Sequence, residues 1–457
     1  MAAERVTEAA GPVPEPIGKD PFPGFPNALI YGAYDLLWVV VALLLSPWWL
    51  AKAILRASFR RMVLERLTFG LQRFPAPTPG RSRVLVHGVS VGEIMASRSL
   101  VAALSDRCEV IVSTSTNTGF KVARQEFPHL SIVRFPLDPS PLIRRFLRRV
   151  QPEQVILLEL EVWPNFLKWA NRRGIPVGIV NGRITENSLR NYLRFSRSLP
   201  QFHRLSLFAV QDEAYATRFA HLVGTRERIV VTGNIKIDGI ELGEVPESSA
   251  FETLKGMIAW HPSQTVLLAG STHGDEDVWV HGAFAAAVPG ARIILVPRHP
   301  ERAGEVVDAL ASRGVRAQRL TGLRSGVEKA DPARPLIVDT VGELGRIYGL
   351  ATLVFVGGSL VPHGGQNMME PAARGRAVIY GPHTGNFLQE TALLEEGGGA
   401  LRVQDVAELE AVVRDLIQDP KRRLAMARAG MDVALAQRGA TERTVRALEE
   451  RLGLAPA

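Results

Sequence analysis

Residues 83–106 read RVLVHGVSVGEIMASRSLVAALSD. A short β-branched run passes at once through a small-residue turn into a helical pattern, which predicts a buried strand leading directly into a helix. One acid, Glu93, stands at that junction. The same punctuation continues through CEVIVSTS, LSIVRFP, QVILLELE, PVGIVNGR, LSLFAVQ and RIVVTGN, with helical stretches such as PLIRRFLRRV between them. A polar stretch at 242–250, LGEVPESSA, interrupts the series, and a second set follows: TVLLAGST, ARIILVPR, LIVDT, LATLVFVGGS and GRAVIYGP. Strands that are apolar almost throughout belong to parallel sheets covered on both faces. The fold class is therefore α/β, with two Rossmann-like domains. Ligands of such sheets collect at the carboxyl ends of the strands, so a central cleft between the domains is the expected site.

A chain of 457 residues exceeds what one core organises, and a hydrophobic fraction of 46% supplies two. The net charge of +8 points to an anionic partner: nucleic acid, a membrane surface or a phosphorylated substrate. A single cysteine, Cys108, excludes an intramolecular disulfide and a multi-cysteine metal site. Near the start, residues 28–55 hold an almost wholly apolar run from Leu36 to Leu50, extended backward only by including Asp35. Trp48 and Trp49 suit an interface, and Lys52, Arg56, Arg60, Arg61, Arg66 and Arg73 follow, which places the remainder on the cytoplasmic side. The segment is expected to be a membrane anchor, single-pass or interfacial, the alternative being a helix buried on the protein. The expected organisation is a disordered tail at 1–27, the anchor at 28–55, a basic linker at 56–80, a first domain at 81–243, an interdomain linker at 244–260, a second domain at 261–435 and a C-terminal helix at 436–457.

The polar signatures fall where strands end. Glu93 follows the first strand, Glu159 and Glu161 close QVILLELE, Lys236 follows RIVVTGN, Ser271 and Thr272 close TVLLAGST, and Arg298 closes ARIILVPR. A further acid, Glu370, lies in HGGQNMMEPAARG, whose Gly364 and Gly365 permit close backbone approach to a phosphate. Any one of these is ordinarily a cap or a solvated loop charge; the argument is their recurrence at one sheet edge. No GxGxxG or GxxxxGK[ST] motif occurs, which argues against a nicotinamide enzyme and a P-loop NTPase. His87, His273, His299, His363 and His383 show no HExxH or paired spacing, so no metal site is expected. GVSVG is similar to the GxSxG of serine hydrolases but has no identifiable partner histidine and acid.

Taken in order, HGVSVGE, LELEVWPN, NGRITENSLRNY, GNIKID, AGSTHGDED, PRHPER and the block from DTVGELG to GPHTGNF resemble the bacterial 3-deoxy-D-manno-octulosonate (Kdo) transferases, over about residues 29–400. That resemblance implies the GT-B glycosyltransferase architecture, CMP-Kdo as donor, lipid A precursor (lipid IVA) as acceptor and the cytoplasmic face of the bacterial inner membrane, with its anionic lipids, as location. It implies no cofactor, no metal and no nucleic-acid partner. It assigns Glu93 as general base, Glu159 and Lys236 to transition-state stabilisation, and CMP binding to Pro297, Arg298, Val341, Gly342, Glu343, Asn367, Met368, Met369 and Glu370. Met368 and Met369 depart from the usual Pro-Leu, and Gln366 from a frequent histidine, where backbone groups do the binding. A UDP-sugar transferase or epimerase of the same fold, and a non-enzymatic membrane-tethered nucleotide-binding protein, are the competing readings.

Overall fold

The computed structural model describes residues 25–196 and 201–454, so the tail expected at 1–27 lies outside the described residues as far as residue 24. The chain divides into two compact units, Met1–Gly239 with Arg438–Ala457, and Ile240–Gln437. Each is built on one seven-stranded sheet, and every strand pair in both sheets is parallel.

In the first unit β1 (Arg83–His87), β2 (Glu109–Thr114), β3 (Ser131–Arg134), β4 (Gln154–Leu158), β5 (Val177–Gly182), β6 (Leu207–Val210) and β7 (Ile229–Val231) lie in the order β3-β2-β1-β4-β5-β6-β7. β1 and β4 are buried along their whole length, as expected of strands covered on both faces. The sequence 93–106 forms two helices, Val91–Ala96 and Arg98–Ser105, with the break at Ser97, whose buried hydroxyl donates to Ile94 O at 2.8 Å. His87 is fully buried and stacked on Phe135 with ring centroids 3.8 Å apart; burial pushes its pKa down to about 3, so it is a neutral core residue.

In the second unit β8 (Val266–Thr272), β9 (Arg292–Pro297), β10 (Gln318–Arg319), β11 (Leu336–Ile337), β12 (Leu353–Val356), β13 (Ala377–Tyr380) and β14 (Ala400–Arg402) take the order β10-β11-β9-β8-β12-β13-β14. β10 and β14 carry no sequence signal because two or three residues are too short to show a period. Both orders reverse direction once, between β1 and β4 and between β8 and β12, and there the loops leaving neighbouring strands part to opposite faces of the sheet.

Among the described residues two helices precede the first sheet: α1 (Phe25–Leu55) and α2 (Ala57–Arg66), the latter inside the stretch expected as a linker. Residues 249–257 of the expected interdomain linker are also helical. At the far end of the chain the helix Ala440–Leu452 packs on the first unit, its Val445, Leu448 and Leu452 joining the core formed by Val84, Val86 and Ile156. Asp238 fixes its start, accepting from Gly439 N at 2.9 Å and from Thr441 N. Asp238→Ala should cost about 1 kcal/mol, the usual value of a lost helix cap, seen as a lower urea midpoint for the first unit by tryptophan fluorescence.

Candidate active site

In the first unit the carboxyl ends of β1 and β4 carry the acids. Ser90 and Glu93 form a capping box: Ser90 Oγ accepts from Glu93 N at 3.2 Å, and Glu93 Oε1 accepts from Ser90 N at 3.3 Å and from Ser90 Oγ at 2.8 Å. Its other oxygen accepts from Val89 N at 2.8 Å. An ionised carboxylate has about four lone-pair sites, so these three donors aim Glu93 and leave it able to take one proton. Gly88 lets the turn close: a Cβ there would stand 2.9 Å from Leu158 Cδ1. Thr116 Oγ1 donates to Val89 O at 2.8 Å and Thr114 Oγ1 at 3.2 Å, which ties the turn to the end of β2.

Glu159, the first residue past β4, adopts φ +58°. Its carboxylate accepts from Lys236 Nζ at 2.8 Å and Arg183 Nε at 2.9 Å. Lys236 is in turn placed by Asn234, whose side-chain oxygen accepts from Lys236 N at 3.1 Å, and by Asn181, which accepts from Ile235 N at 3.2 Å. Glu159 and Lys236 are thus brought together across 77 residues of the sequence. Glu161 stands beside them with Trp163 Nε1 donating to it at 3.1 Å; burial raises its carboxyl above the usual range, and the charge of Glu93 adds to that rise. The strand-end position of Glu161 was visible in the sequence, whereas its closeness to Glu93 needs the β1–β4 pairing.

In the second unit the organising residue is Glu276, fully buried at the start of the helix Glu276–Ala287. One oxygen accepts from His273 N at 2.8 Å and Gly358 N at 2.6 Å, the other from Ser359 N at 2.9 Å, Leu360 N at 2.8 Å and Val361 N at 3.4 Å. The loop after β12 is therefore an anion nest, and the chain's own carboxylate fills it. This joins the loop after β8, a strand whose penultimate residue Ser271 stands at φ +56°, to the glycine-rich loop that leads to Asn367. In the sequence Glu276 stands within AGSTHGDED, one of the blocks that carry the resemblance, but nothing local gives it a role.

Around this junction, Arg298 N donates to Thr272 O at 3.0 Å and the Arg298 side chain is exposed, following the buried Pro297. Asn367 Nδ2 donates to Glu370 Oε1 at 3.0 Å while its own oxygen accepts from Met369 N at 3.1 Å. Burial raises the Glu370 carboxyl above the usual range, against the Asn367 hydrogen bond and the Arg298 charge, both of which lower it. Met368 and Met369 are buried beneath the loop. His273 stacks on His363 at 3.8 Å, meets His299 edge-on at 5.8 Å and lies 3.0 Å from Gln366 Nε2. Burial first, then the neighbouring histidines and arginines, pushes its pKa down to about 4. Among the described residues no cluster of histidine, cysteine and carboxylate groups suits a metal ion.

Val341, Gly342 and Glu343 lie between β11 and the helix Leu344–Ile347. Val341 and Gly342 are exposed, and Glu343 pairs with Arg324 at 2.8 Å and Arg346 at 3.3 Å in a depression of about 280 Å³ that Ser249 and Met257 also line. Neither Arg298 nor Glu370 lines that depression.

Two parallel sheets with these switch points define a GT-B-type fold. A glycosyltransferase from Rickettsia africae superposes with a TM-score of 0.55 at 11% identity, over 82% of this chain and all of that one. The UDP-GlcNAc 2-epimerase of Neisseria meningitidis gives 0.55 at 13%, over 80% and 99%. At such identities the likeness shows the fold alone. Residues 62–239 match the family model described as 3-deoxy-D-manno-octulosonic-acid transferase (kdotransferase). The 3-deoxy-D-manno-octulosonic acid transferase of Haemophilus influenzae is 34% identical over 405 residues, covering 86% of this chain and 92% of that protein, and that of Bordetella pertussis is 32% identical over 439, covering 92% and 97%. The chain belongs to the 3-deoxy-D-manno-octulosonic acid transferase family, and is a glycosyltransferase.

Replacing Glu276 by Gln keeps the shape but turns an N–H group toward backbone N–H donors. Unfolding of the second unit in urea should be easier by about 1–3 kcal/mol, the cost of buried donors left without an acceptor.

Proposed function

We propose that the chain transfers Kdo from CMP-Kdo to a sugar hydroxyl of the lipid A precursor, with Glu93 as general base. The observation that carries this reading is Glu93 itself: a carboxylate at the end of β1 whose capping box fixes its direction and leaves one acceptor site unfilled. Glu93 takes the proton as the acceptor oxygen attacks the anomeric carbon of Kdo, and the bond to the CMP phosphate breaks. Phosphate is a good leaving group, so the chemistry calls for charge stabilisation more than for an acid. Lys236 supplies it, against the departing phosphate or the Kdo carboxylate, and the Glu159–Lys236 bond holds it in place. In the second unit Glu370 accepts the ribose hydroxyls, Arg298 donates to phosphate or cytosine oxygens, and the backbone around Asn367 to Met369 binds phosphate. Pro297, Val341, Gly342 and Glu343 complete the nucleotide site in this reading.

Membrane association at the cytoplasmic face brings the enzyme to a lipid-borne acceptor. Helix α1 supports it, since the most apolar 18-residue window within Ala28–Leu55 has a mean hydropathy of 2.1 with only 6% of it buried. Arg73, Arg145, Arg148 and Arg149 line a depression of about 790 Å³ suited to anionic headgroups.

Glu93→Gln should lower turnover about 100- to 10,000-fold, the range for a lost general base, with CMP affinity unchanged in calorimetric titration. Turnover within tenfold of the parent removes Glu93 from that role. The raised Glu370 carboxyl gives a second test. A ribose acceptor must be ionised, so CMP affinity should be complete above the Glu370 pKa and fall as the pH drops through it, starting above the ordinary glutamate value of about 4.3. Glu370→Gln should bind more weakly, with that pH dependence gone.

A further inference from the structure

Helix α1 carries an acid, Asp35, within its apolar length, and the structure shows where that charge goes. Asp35 Oδ1 accepts from Ser140 N and from Asn165 Nδ2, each at 2.8 Å. Asn165 is fully buried, accepts from Ser140 Oγ at 3.1 Å, and donates to Asp138 O at 2.7 Å through its amide and to Asp138 Oδ2 at 2.9 Å through its backbone N–H. One turn earlier Tyr31 is buried, with Lys168 Nζ 4.0 Å from its ring centroid. The first turns of α1 are therefore seated in a polar socket beside the turn that follows Glu159 and Glu161.

The other end of the apolar segment is held as well. After Leu55 the chain bends at Arg56 into α2, where Lys52 Nζ lies 4.5 Å from the Trp48 ring and 4.8 Å from that of Phe59. The far end of α2 returns to the same unit: Arg66 Nε donates to Phe135 O at 3.2 Å, Leu137 N donates to Arg66 O at 3.1 Å, and Glu65 pairs with Arg134 at 3.1 Å. Ten residues of helix are about 15 Å long, so the tip at Leu55 reaches about half of a hydrocarbon core of roughly 30 Å. Between the two attachments Leu36, Leu43, Leu44, Leu50, Ile54 and Leu55 are each more than half exposed, an apolar surface matched to lipid chains.

We infer that α1 and α2 form a one-sided membrane hairpin, clamped to the first unit at Asp35 and at Arg66, which enters the acyl layer of the nearer leaflet without crossing the bilayer. This rests on the membrane association proposed above and goes beyond it. The chain ahead of α1 stays on the catalytic side, and Asp35 is a positioning residue that sets the height of the β1–β4 rim above the lipid.

The test uses the full chain with Cys108→Ala and one added cysteine, at Ala10 ahead of the helix or at the exposed Glu227 of the first unit. Each is treated with a membrane-impermeant maleimide in spheroplasts and in inverted inner-membrane vesicles. Both positions should react in inverted vesicles and neither in spheroplasts. Reaction of Ala10→Cys in spheroplasts alone overturns the hairpin, and a chain that fails to sediment with membranes removes the membrane reading itself. A second arm separates clamp from anchor. Asp35→Leu makes α1 more apolar, so a plain anchor would work as well or better. The clamp requires at least a tenfold loss of transfer to acceptor in bilayers, with sedimentation kept, a smaller loss on detergent-dispersed acceptor, and partial rescue by Asp35→Asn, which retains the accepting oxygen. Unchanged bilayer transfer by Asp35→Leu excludes the positioning role.

Discussion

A parallel sheet whose strand order reverses leaves one place where neighbouring strands send their loops apart, and in both units the chemistry-bearing residues gather around that place. In the first unit it lies between β1 and β4, which sets Glu93 beside Glu161, two residues beyond Glu159. In the second it lies between β8 and β12, where the Glu276 carboxylate ties the two diverging loops together. A side chain capturing five backbone N–H groups commits the positive ends of those dipoles to rigidity, so they are not free to meet an incoming phosphate. The loop is held open at Gly364, whose φ of +96° and missing Cβ leave room for the Asn386 amide to donate to His363 O at 3.1 Å.

The electrostatics of the two units differ in kind. The first holds acids close together, with Glu161 pushed toward its neutral form by burial and by Glu93, and balances Glu159 with Lys236 and Arg183. Such an arrangement suits proton removal and cation placement at a sugar hydroxyl. The second sets the Arg298 charge against the raised Glu370 carboxyl and packs His273 against His363 and His299, which holds it neutral; cationic and neutral donors of this kind suit an anionic, hydrogen-bonding ligand. The raised Asp138 carboxyl, at about 7, belongs to neither: burial sets it, and it caps the turn on which α1 is seated.

Twelve of the strands, the parallel character of the sheets and the strand-end position of Glu93, Glu159, Lys236 and Arg298 were legible in the sequence, because near-continuous β-branched runs between helices leave little other choice. The contacts that turn positions into a site were not. Lys236 meets Glu159 across 77 residues and Glu276 meets Gly358 across 82, and no local pattern encodes such pairs. Glu343 shows the converse: it matched a family motif, yet its carboxylate is taken up by Arg324 and Arg346. Asp35 reads in sequence as a blemish in an apolar run, and only Ser140 and Asn165 give it a purpose.

Family membership makes the chain a Kdo transferase; the central claim of the physical account is that a nucleotide is released from the donor because an acceptor hydroxyl, activated in the first unit, attacks it. The most direct measurement is CMP released from CMP-Kdo by the purified full chain, with and without lipid A precursor. The account predicts release that depends on acceptor and equals, mole for mole, the Kdo appearing on lipid. Release at the same rate without acceptor, or equal turnover of a UDP-sugar in place of CMP-Kdo, would contradict it.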